Sequence, residues 1–248
     1  MTQRLLYGAR PYADVLGFAD AFLAEAERLG AVRGRAFALT LRGEARLLSG
    51  ALDEADADLM AATQLSQESG GTTGEALAVQ RRAEVALRHG DRAGADRLLD
   101  EALAVARESD VGFHLLDRIY GSRIAVAQDP GAALLRLEES EAAVRGPLET
   151  CPGCRITFAV PAAIAAARGG DLERAHRYGR DVETLAAVVM RLPGWDAALE
   201  EVRGHVAWAD GDDDEARRRF AAAAAAFRDI GQPLDEARCA GNVSGTVS

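Results

Sequence analysis

Apolar residues recur at helical spacing along almost the whole chain, and no segment sustains the strict apolar–polar alternation of a half-buried strand. The helical segments are separated by turns in which glycine precedes aspartate, at Gly90, Gly170 and Gly211, with an equivalent turn at Gly50. These glycines lie 40, 80 and 41 residues apart, so a further copy is expected near residue 130, where "QDPGAALLRLEESEAAV" fits. A constant period of about 40 residues predicts an all-α protein built as a helical solenoid.

Each period is expected to hold two helices. Glycine can end the first helix by adopting a left-handed conformation, and aspartate can cap the second by accepting hydrogen bonds from its free N–H groups. The sequence therefore predicts one superhelical domain over residues 1–248, with helix pairs at 34–68, 73–108, 112–145, 155–190 and 195–230. Single helices at 11–29 and 233–244 would flank these five units as half-units.

Small residues recur at fixed places within the units, where two helices must approach closely. In the first unit Gly43 is followed twelve residues later by Ala55, then by Leu59 and Ala62. The large residues at the position of Leu59 in later units are Leu99, Leu137 and Phe220. This pattern resembles the tetratricopeptide repeat (TPR) over residues 34–230, although the period is longer and the usual Trp and closing Pro are absent. The resemblance implies an α-solenoid of TPR-like helix pairs.

A second resemblance concerns "GDLERAHRYGRDVETLA" and "AAAAFRDIGQPLDEARC", which are similar to the repeat domain of large actinobacterial ATP-binding LuxR-type transcriptional regulators. The residues that match the closing phrase of that domain are Gly231, Gln232, Pro233, Ala237, Arg238 and Cys239. The resemblance implies a sensor or scaffold module in signal transduction, which acts together with other domains of a larger regulator. It does not bring an ATPase or a DNA-binding part to this chain.

The composition narrows the fold and function further. Hydrophobic residues make up 48% of the 248 residues but aromatic residues only 5%, with alanine in long runs, which favours thin and closely packed helix layers. The chain contains no lysine, so it has neither the P-loop lysine nor an amine for Schiff-base chemistry. A net charge of −10 argues against direct binding of nucleic acid.

Localisation is inferred from what the sequence lacks. There is no apolar run of about 20 residues that would span a membrane, and the first residues have no apolar core of a signal peptide. Three cysteines in 248 residues do not form a disulfide framework. We therefore expect a cytoplasmic protein that does not contact the membrane.

The resemblance to TPR arrays implies that the first helix of each pair lines a concave face. The positions that carry over to this face are Glu44, Glu84, Arg88, Arg118, Ser122, Arg168, Glu201, His205 and Trp208. Arginine suits carboxylates, and Trp208 would supply an aromatic anchor for a protein or peptide partner. Recognition by asparagine side chains is not expected, because the single asparagine is Asn242. A small-molecule effector and a homodimer formed through the exposed end helices are further possibilities.

Catalysis is not expected from this sequence. The four histidines fall in different units, and none belongs to a recognisable triad. The paired carboxylates resemble ordinary helix surfaces and caps. We therefore predict a protein that is not an enzyme and assign it no catalytic residue, no cofactor and no metal ligand.

Cys151 and Cys154 form a Cys-x-x-Cys motif in "ETCPGC", and the sequence leaves three interpretations of it open. The pair can be two small buried residues in a turn made by Pro152 and Gly153, a thiol-redox pair, or half of a metal site. The repeat places it at the edge between the third and fourth units, with His114 and Asp196 as the neighbours that could complete a site. A thiol-redox or metal sensor using this pair is the alternative function.

Overall fold

The computed structural model describes residues 2–8, 10–144 and 149–243, and within these ranges the protein is all-α, as predicted. The helices are α1 (Thr2–Leu6), α2 (Tyr12–Arg28), α3 (Val32–Leu48), α4 (Leu52–Glu68), α5 (Thr72–Arg88), α6 (Arg92–Glu108), α7 (Phe113–Val126), α8 (Pro130–Ala143), α9 (Pro152–Arg168), α10 (Leu172–Glu183), α11 (Pro193–Ala209), α12 (Asp213–Asp229) and α13 (Pro233–Val243). A π-helix, Thr184–Met190, continues α10 directly. Positions 145 and 244, the expected ends of the third unit and of the last half-unit, lie outside the described residues.

The helices follow one another as antiparallel pairs, because each Gly–Asp turn reverses the chain in the predicted way. Gly50, Gly90, Gly170 and Gly211 have φ values of 88°, 84°, 77° and 83°, which only glycine adopts without strain. At the second of these turns Asp91 accepts a hydrogen bond at 2.8 Å from the backbone N–H of Gly94. Asp171 and Asp212 cap α10 and α12 in the same manner. The turns thus fix where one helix ends and the next begins.

The core between paired helices consists mainly of alanine, with single large residues at intervals. Leu59, Leu99, Leu137 and Phe220 are each at most 1% exposed, in agreement with their predicted role as large residues between paired helices. Small residues of the partner helix lie against these large side chains. A Cβ atom on Gly43, for example, would lie 2.6 Å from Cγ of Leu59. Such close approach allows extensive contact between helices that carry few aromatic side chains.

The third unit departs from this scheme. A Cβ atom on Gly121 in α7 would lie 2.2 Å from the carbonyl oxygen of Thr157 in α9, so Gly121 permits contact with the next unit rather than with its own partner helix. Helix α9 is continuous from Pro152 to Arg168 and contains Pro161 in its interior. Pro161 therefore neither ends this helix nor delays its start.

The two ends of the chain meet across the concave face. The turn at Gly50 in the first unit lies beside Pro233 at the start of α13, and Arg88 of α5 forms an ion pair with Asp235 of α13 at 2.5 Å. The short helix α1, which the sequence did not predict, contacts the fifth unit through Gln3, which accepts a hydrogen bond from Trp195. Tyr7, the residue that follows α1, stacks its ring on Trp195 at 4.3 Å between centroids. The superhelix therefore encloses space that an open array would leave exposed.

We predict that Gly121→Ala lowers the free energy of unfolding by about 1–3 kcal/mol, because the added methyl group would collide with backbone of α9 and not with a flexible side chain. Urea unfolding followed by far-UV circular dichroism measures the change. The matched control is Gly17→Ala, at an exposed position of α2 where a Cβ atom meets nothing within 4 Å. This control should be stabilising by about 0.5–1 kcal/mol from helix propensity. Equal midpoints for the two variants would contradict the packing assigned to Gly121.

Candidate functional site

A cavity of about 730 Å³ lies on the concave side, between the first helices of the units and the two chain ends. Its apolar walls come from several helices and include Leu47, Leu87, Ile124, Ile164 and Phe227. Five arginines and four carboxylates also line it: Arg81, Arg88, Arg92, Arg168, Arg238, Glu84, Asp129, Glu201 and Asp235. The cavity is thus mixed in character, with charged groups set among aliphatic side chains.

The predicted groove residues of the early units form one buried hydrogen-bonded network. Arg81 donates to Glu44 at 2.7 Å and forms a second ion pair with Glu84 at 2.5 Å. Its Nη2 also donates to the hydroxyl of Tyr7 at 3.3 Å, which ties the N-terminal segment to this network. Burial opposes ionisation of Glu84, but the charge of Arg81 and the hydrogen bonds it receives lower the pKa of its carboxyl. Glu84 therefore remains ionised and paired with Arg81.

Arg118 and Ser122 join the same network from α7. The guanidinium of Arg118 is buried, with Nη1 at 3.9 Å from a carboxylate oxygen of Glu44. The hydroxyl of Ser122 accepts a hydrogen bond at 2.8 Å from Gln80, which also donates to Glu84. Arg118 does not line the cavity, whereas Ser122 does. These side chains bind neighbouring units to one another, so only part of the predicted set faces the enclosed space.

A second charged group forms where α13 meets the fifth unit. Arg238 donates to both carboxylate oxygens of Glu201, at 2.7 and 2.6 Å, and also to Asp235. Asp235 in turn accepts a hydrogen bond from Arg88 of α5. Burial opposes the ionised form of Asp235, but the charges of Arg238 and Arg88 hold the pKa of this carboxyl below its usual range. The predicted groove residues Arg88 and Glu201 are therefore brought together through α13.

The remaining predicted groove residues differ in surroundings. Arg168 is exposed at the rim of the cavity and has no carboxylate within ion-pair distance among the described residues. His205 lines the cavity and is 6% exposed, and desolvation lowers the pKa of its imidazole to about 4. Trp208 packs edge-to-face on Phe220 at 6.1 Å and does not line the cavity. The aromatic side chains that do line it are Tyr7, Phe227 and Trp195, and sequence reasoning missed Trp195.

Trp195 could not be found from repeat position, because its role depends on the N-terminal segment. Its ring stacks on Tyr7, and its indole Nε1 donates to Gln3 at 2.9 Å. The backbone N–H of Gly194 donates to the carbonyl of Tyr7 at 3.0 Å. A contact between residues almost 190 positions apart leaves no local signal in the sequence.

The cysteine pair lies at the start of α9 and not in a turn. Cys151 is the N-cap residue, Pro152 to Cys154 form the first helical turn, and the backbone N–H of Cys154 donates to the carbonyl of Cys151 at 2.9 Å. Cys151 is exposed and Cys154 half-buried, so the interpretation as two buried residues of a turn is wrong. Proline is favoured in the first turn of a helix, so Pro152 begins α9 and does not make a turn before it.

His114 of α7 lies next to the two thiols. A ring nitrogen of His114 and the Sγ atoms of Cys151 and Cys154 all lie within 4.8 Å of one another. The two Sγ atoms are 2.7 Å apart. The hydrogen bond between the thiols lowers the pKa of Cys151 to about 5 and raises that of Cys154. Asp196, the other predicted neighbour, is not part of this group.

Comparisons with known proteins add no assignment. No model of a known protein family matches the chain, and no curated protein is significantly similar to it. Within the described residues, no helix has the combined length and apolarity needed to cross a bilayer.

We predict that the imidazole of His205 makes the fold less stable in acid. Because desolvation lowers the pKa from about 6.5 in the unfolded chain to about 4 in the fold, the unfolded state binds the additional proton between these values. The contribution of His205 to the free energy of unfolding is therefore fully present above about pH 6.5, and it is lost as the pH decreases toward 4. Urea unfolding at pH 7 and pH 5 should show a loss of about 2 kcal/mol from this group.

The variant His205→Gln should lack this component of the pH dependence, because glutamine does not titrate. His176→Gln is the matched control, since His176 is exposed on α10, where it contacts Asp210 at 3.0 Å. If His205→Gln retains the full loss of stability between pH 7 and pH 5, the buried neutral imidazole is not its source.

Proposed function

We propose that this protein is a non-catalytic interaction or sensor module of a bacterial signal-transduction or transcriptional regulator, which binds its ligand on the concave face. The regulator context rests on the resemblance of the segments around residues 169–186 and 223–239. The mode of binding rests on the cavity. The observation that carries it is Arg168, which lies at the rim of this apolar-walled space and has no carboxylate partner among the described residues, whereas Arg81, Arg88 and Arg238 are paired with carboxylates.

The size of the cavity favours a small effector or a short peptide side chain over a whole folded partner. A volume of about 730 Å³ lies within the range of about 300–1,000 Å³ that small-molecule sites occupy. The contacts of Tyr7 and Asp235 with distant units close what would otherwise be an open groove. A partner protein would have to displace these segments, whereas a small molecule fits beside them.

The charges favour an anionic ligand. Arg81, Arg88 and Arg238 are neutralised by the carboxylates of Glu44, Glu84, Asp235 and Glu201. Arg92 donates instead to two backbone carbonyls, at 2.8 and 2.9 Å, and Arg168 has no carboxylate partner among the described residues. A carboxylate or another anionic group placed at Arg168 would gain a charge-assisted hydrogen bond. An apolar body could then lie against Ile164 and Phe227.

A role in binding rather than catalysis agrees with the surroundings of the histidines. His89 caps the end of α5, His114 contacts the cysteines, and His176 is exposed on α10. His205 lines the cavity, but desolvation keeps its imidazole neutral. Among the described residues, these imidazoles are therefore spread over separate parts of the fold and do not form a common catalytic group.

A homodimer through an end helix is a second candidate for the partner. Phe18 and Phe22 of α2 and Phe37 of α3 are 44%, 39% and 45% exposed. Their rings contact one another, with centroids 6.3 and 5.7 Å apart. The other end helix, α13, is engaged with α5 and α12, so α2 is the end that offers an exposed aromatic surface. A second copy of the chain would bury this surface by symmetric contact.

We predict that 1-anilinonaphthalene-8-sulfonate (ANS), an anionic amphiphile, binds in the cavity and that Arg168→Glu weakens its binding about tenfold, because the change replaces attraction by repulsion. Fluorescence titration measures the affinity. Arg180→Glu is the matched control, because Arg180 is exposed on α10 outside the cavity and the change in charge is the same. Equal affinities of the two variants would contradict an anion site at Arg168.

We also predict that Phe22→Asp shifts the protein toward monomer, because a charge in the aromatic surface of α2 opposes its burial between two copies. Sedimentation velocity over a range of concentrations measures the association. Glu27→Asp, a conservative change in the same helix, is the control. A parent protein that is monomeric at all concentrations would exclude the dimer and leave the cavity proposal untouched.

A further inference from the structure

The N-terminal ends of α7 and α9 lie side by side at the edge between the third and fourth units, and each contributes to one group of side chains. Helix α9 supplies Cys151 as its N-cap and Cys154 from its first turn, and α7 supplies His114 from its own first turn. The cavity proposed to bind an effector does not use this group. The group is therefore separate from the proposed effector site.

Three features of this group suit a metal ion. The imidazole and the two thiols offer ligand atoms that all lie within 4.8 Å of one another. All three cysteines of the chain are free, so the thiols of Cys151 and Cys154 are available. The third feature is independent of this arrangement: Nδ1 of His114 is buried and makes no hydrogen bond to any described residue. A buried nitrogen without a partner is costly, and an ion bound by the imidazole is one of the arrangements that resolve it.

We propose that His114, Cys151 and Cys154 bind a Zn²⁺ ion with three protein ligands. Two thiolates and an imidazole are the ligand types that Zn²⁺ takes, and the two thiolates neutralise its charge. Among the described residues no further thiol, imidazole or carboxylate belongs to the group, so the fourth tetrahedral position is left to water or to a ligand from a partner.

The geometry requires only a small adjustment. Tetrahedral coordination with Zn–S distances of about 2.3 Å places two sulfur atoms about 3.8 Å apart. The Sγ atoms now lie 2.7 Å apart, so rotation of the exposed Cys151 side chain opens the pair by about 1 Å. Both thiols bind as thiolates, and any proton that the pair carries is released to solvent when the ion binds.

The experiment uses the reduced full chain and measures Zn²⁺ uptake in competition with a chromophoric chelator. Co²⁺ serves as a spectroscopic probe, because thiolate ligands give charge-transfer bands in the near ultraviolet and tetrahedral coordination gives intense visible bands. We expect one ion per chain. Cys151→Ser and Cys154→Ser should each weaken Zn²⁺ binding about a hundredfold and remove charge-transfer intensity, and His114→Ala should weaken it about tenfold or more.

The controls separate loss of the site from loss of the fold. Serine is a favoured N-cap residue, so Cys151→Ser should leave α9 intact, as far-UV circular dichroism will show. Cys239→Ser and His176→Ala remove a cysteine and a histidine outside the group, and both should still bind one ion. Uptake that is unchanged in His114→Ala would overturn the three-ligand site.

A second outcome would overturn the proposal in favour of redox chemistry. If the reduced chain takes up no Zn²⁺, glutathione disulfide is added and the free thiols are counted before and after. In that reaction the two thiols lose two electrons and two protons as the Cys151–Cys154 bond forms, and glutathione disulfide is reduced to two glutathione molecules. Reversible loss of two thiols without metal uptake would identify a redox pair. Neither outcome bears on ANS binding at Arg168, so this proposal and the proposed function fail independently.

Discussion

The close approach of helices at alanine and glycine is the constraint on which the rest of the structure depends. Side chains such as Ala55 and Ala62 leave room for one large residue, Leu59, between two helices, and Gly43 allows that residue to lie directly against its backbone. Because the layer is thin, each pair buries its apolar face only by stacking on the next pair. The chain therefore winds as a superhelix, and the polar faces of the first helices are directed toward its interior.

This interior would be open if the repeats were all that the chain contained, but both ends return to it. Tyr7 stacks on Trp195, and Asp235 joins Arg88 to Arg238 across the concave face. These contacts pair charged side chains across the concave face, and they bury the carboxylate of Asp235 beneath two arginines that stay partly exposed. Paired charges of this kind add little net stability, since desolvation offsets their attraction. Arg168 differs from these arginines, because it has no carboxylate partner among the described residues.

The cysteine group shows how the same repeat brings thiol and imidazole side chains together away from the cavity. First helices of successive units begin at the same edge of the solenoid, so residues 37 or 40 positions apart become neighbours. His114 and Cys154 differ by one period, and the structure places them in one group. Helix N-termini also favour thiolates, because their free N–H groups and dipole stabilise negative charge. A motif that is ambiguous by itself gains a third member through the geometry of the array.

The sequence by itself determined the all-α class, the positions of the helix turns and the large core residues. Each of these depends on local chemistry: glycine at positive φ, aspartate at the N-cap and apolar residues at helical spacing. It also indicated His114 as a neighbour of the cysteines, because a constant period relates equivalent positions.

Only the tertiary structure decided that α1 and α13 close the concave face and that Trp195 rather than Trp208 lines the cavity. It also decided that Cys151 caps α9 and that Cys154 belongs to the first turn of this helix. The first two depend on contacts between residues far apart in the chain, which no local pattern encodes. The third depends on where α9 begins, and the sequence left that open because Pro152 is compatible with a turn and with the first turn of a helix.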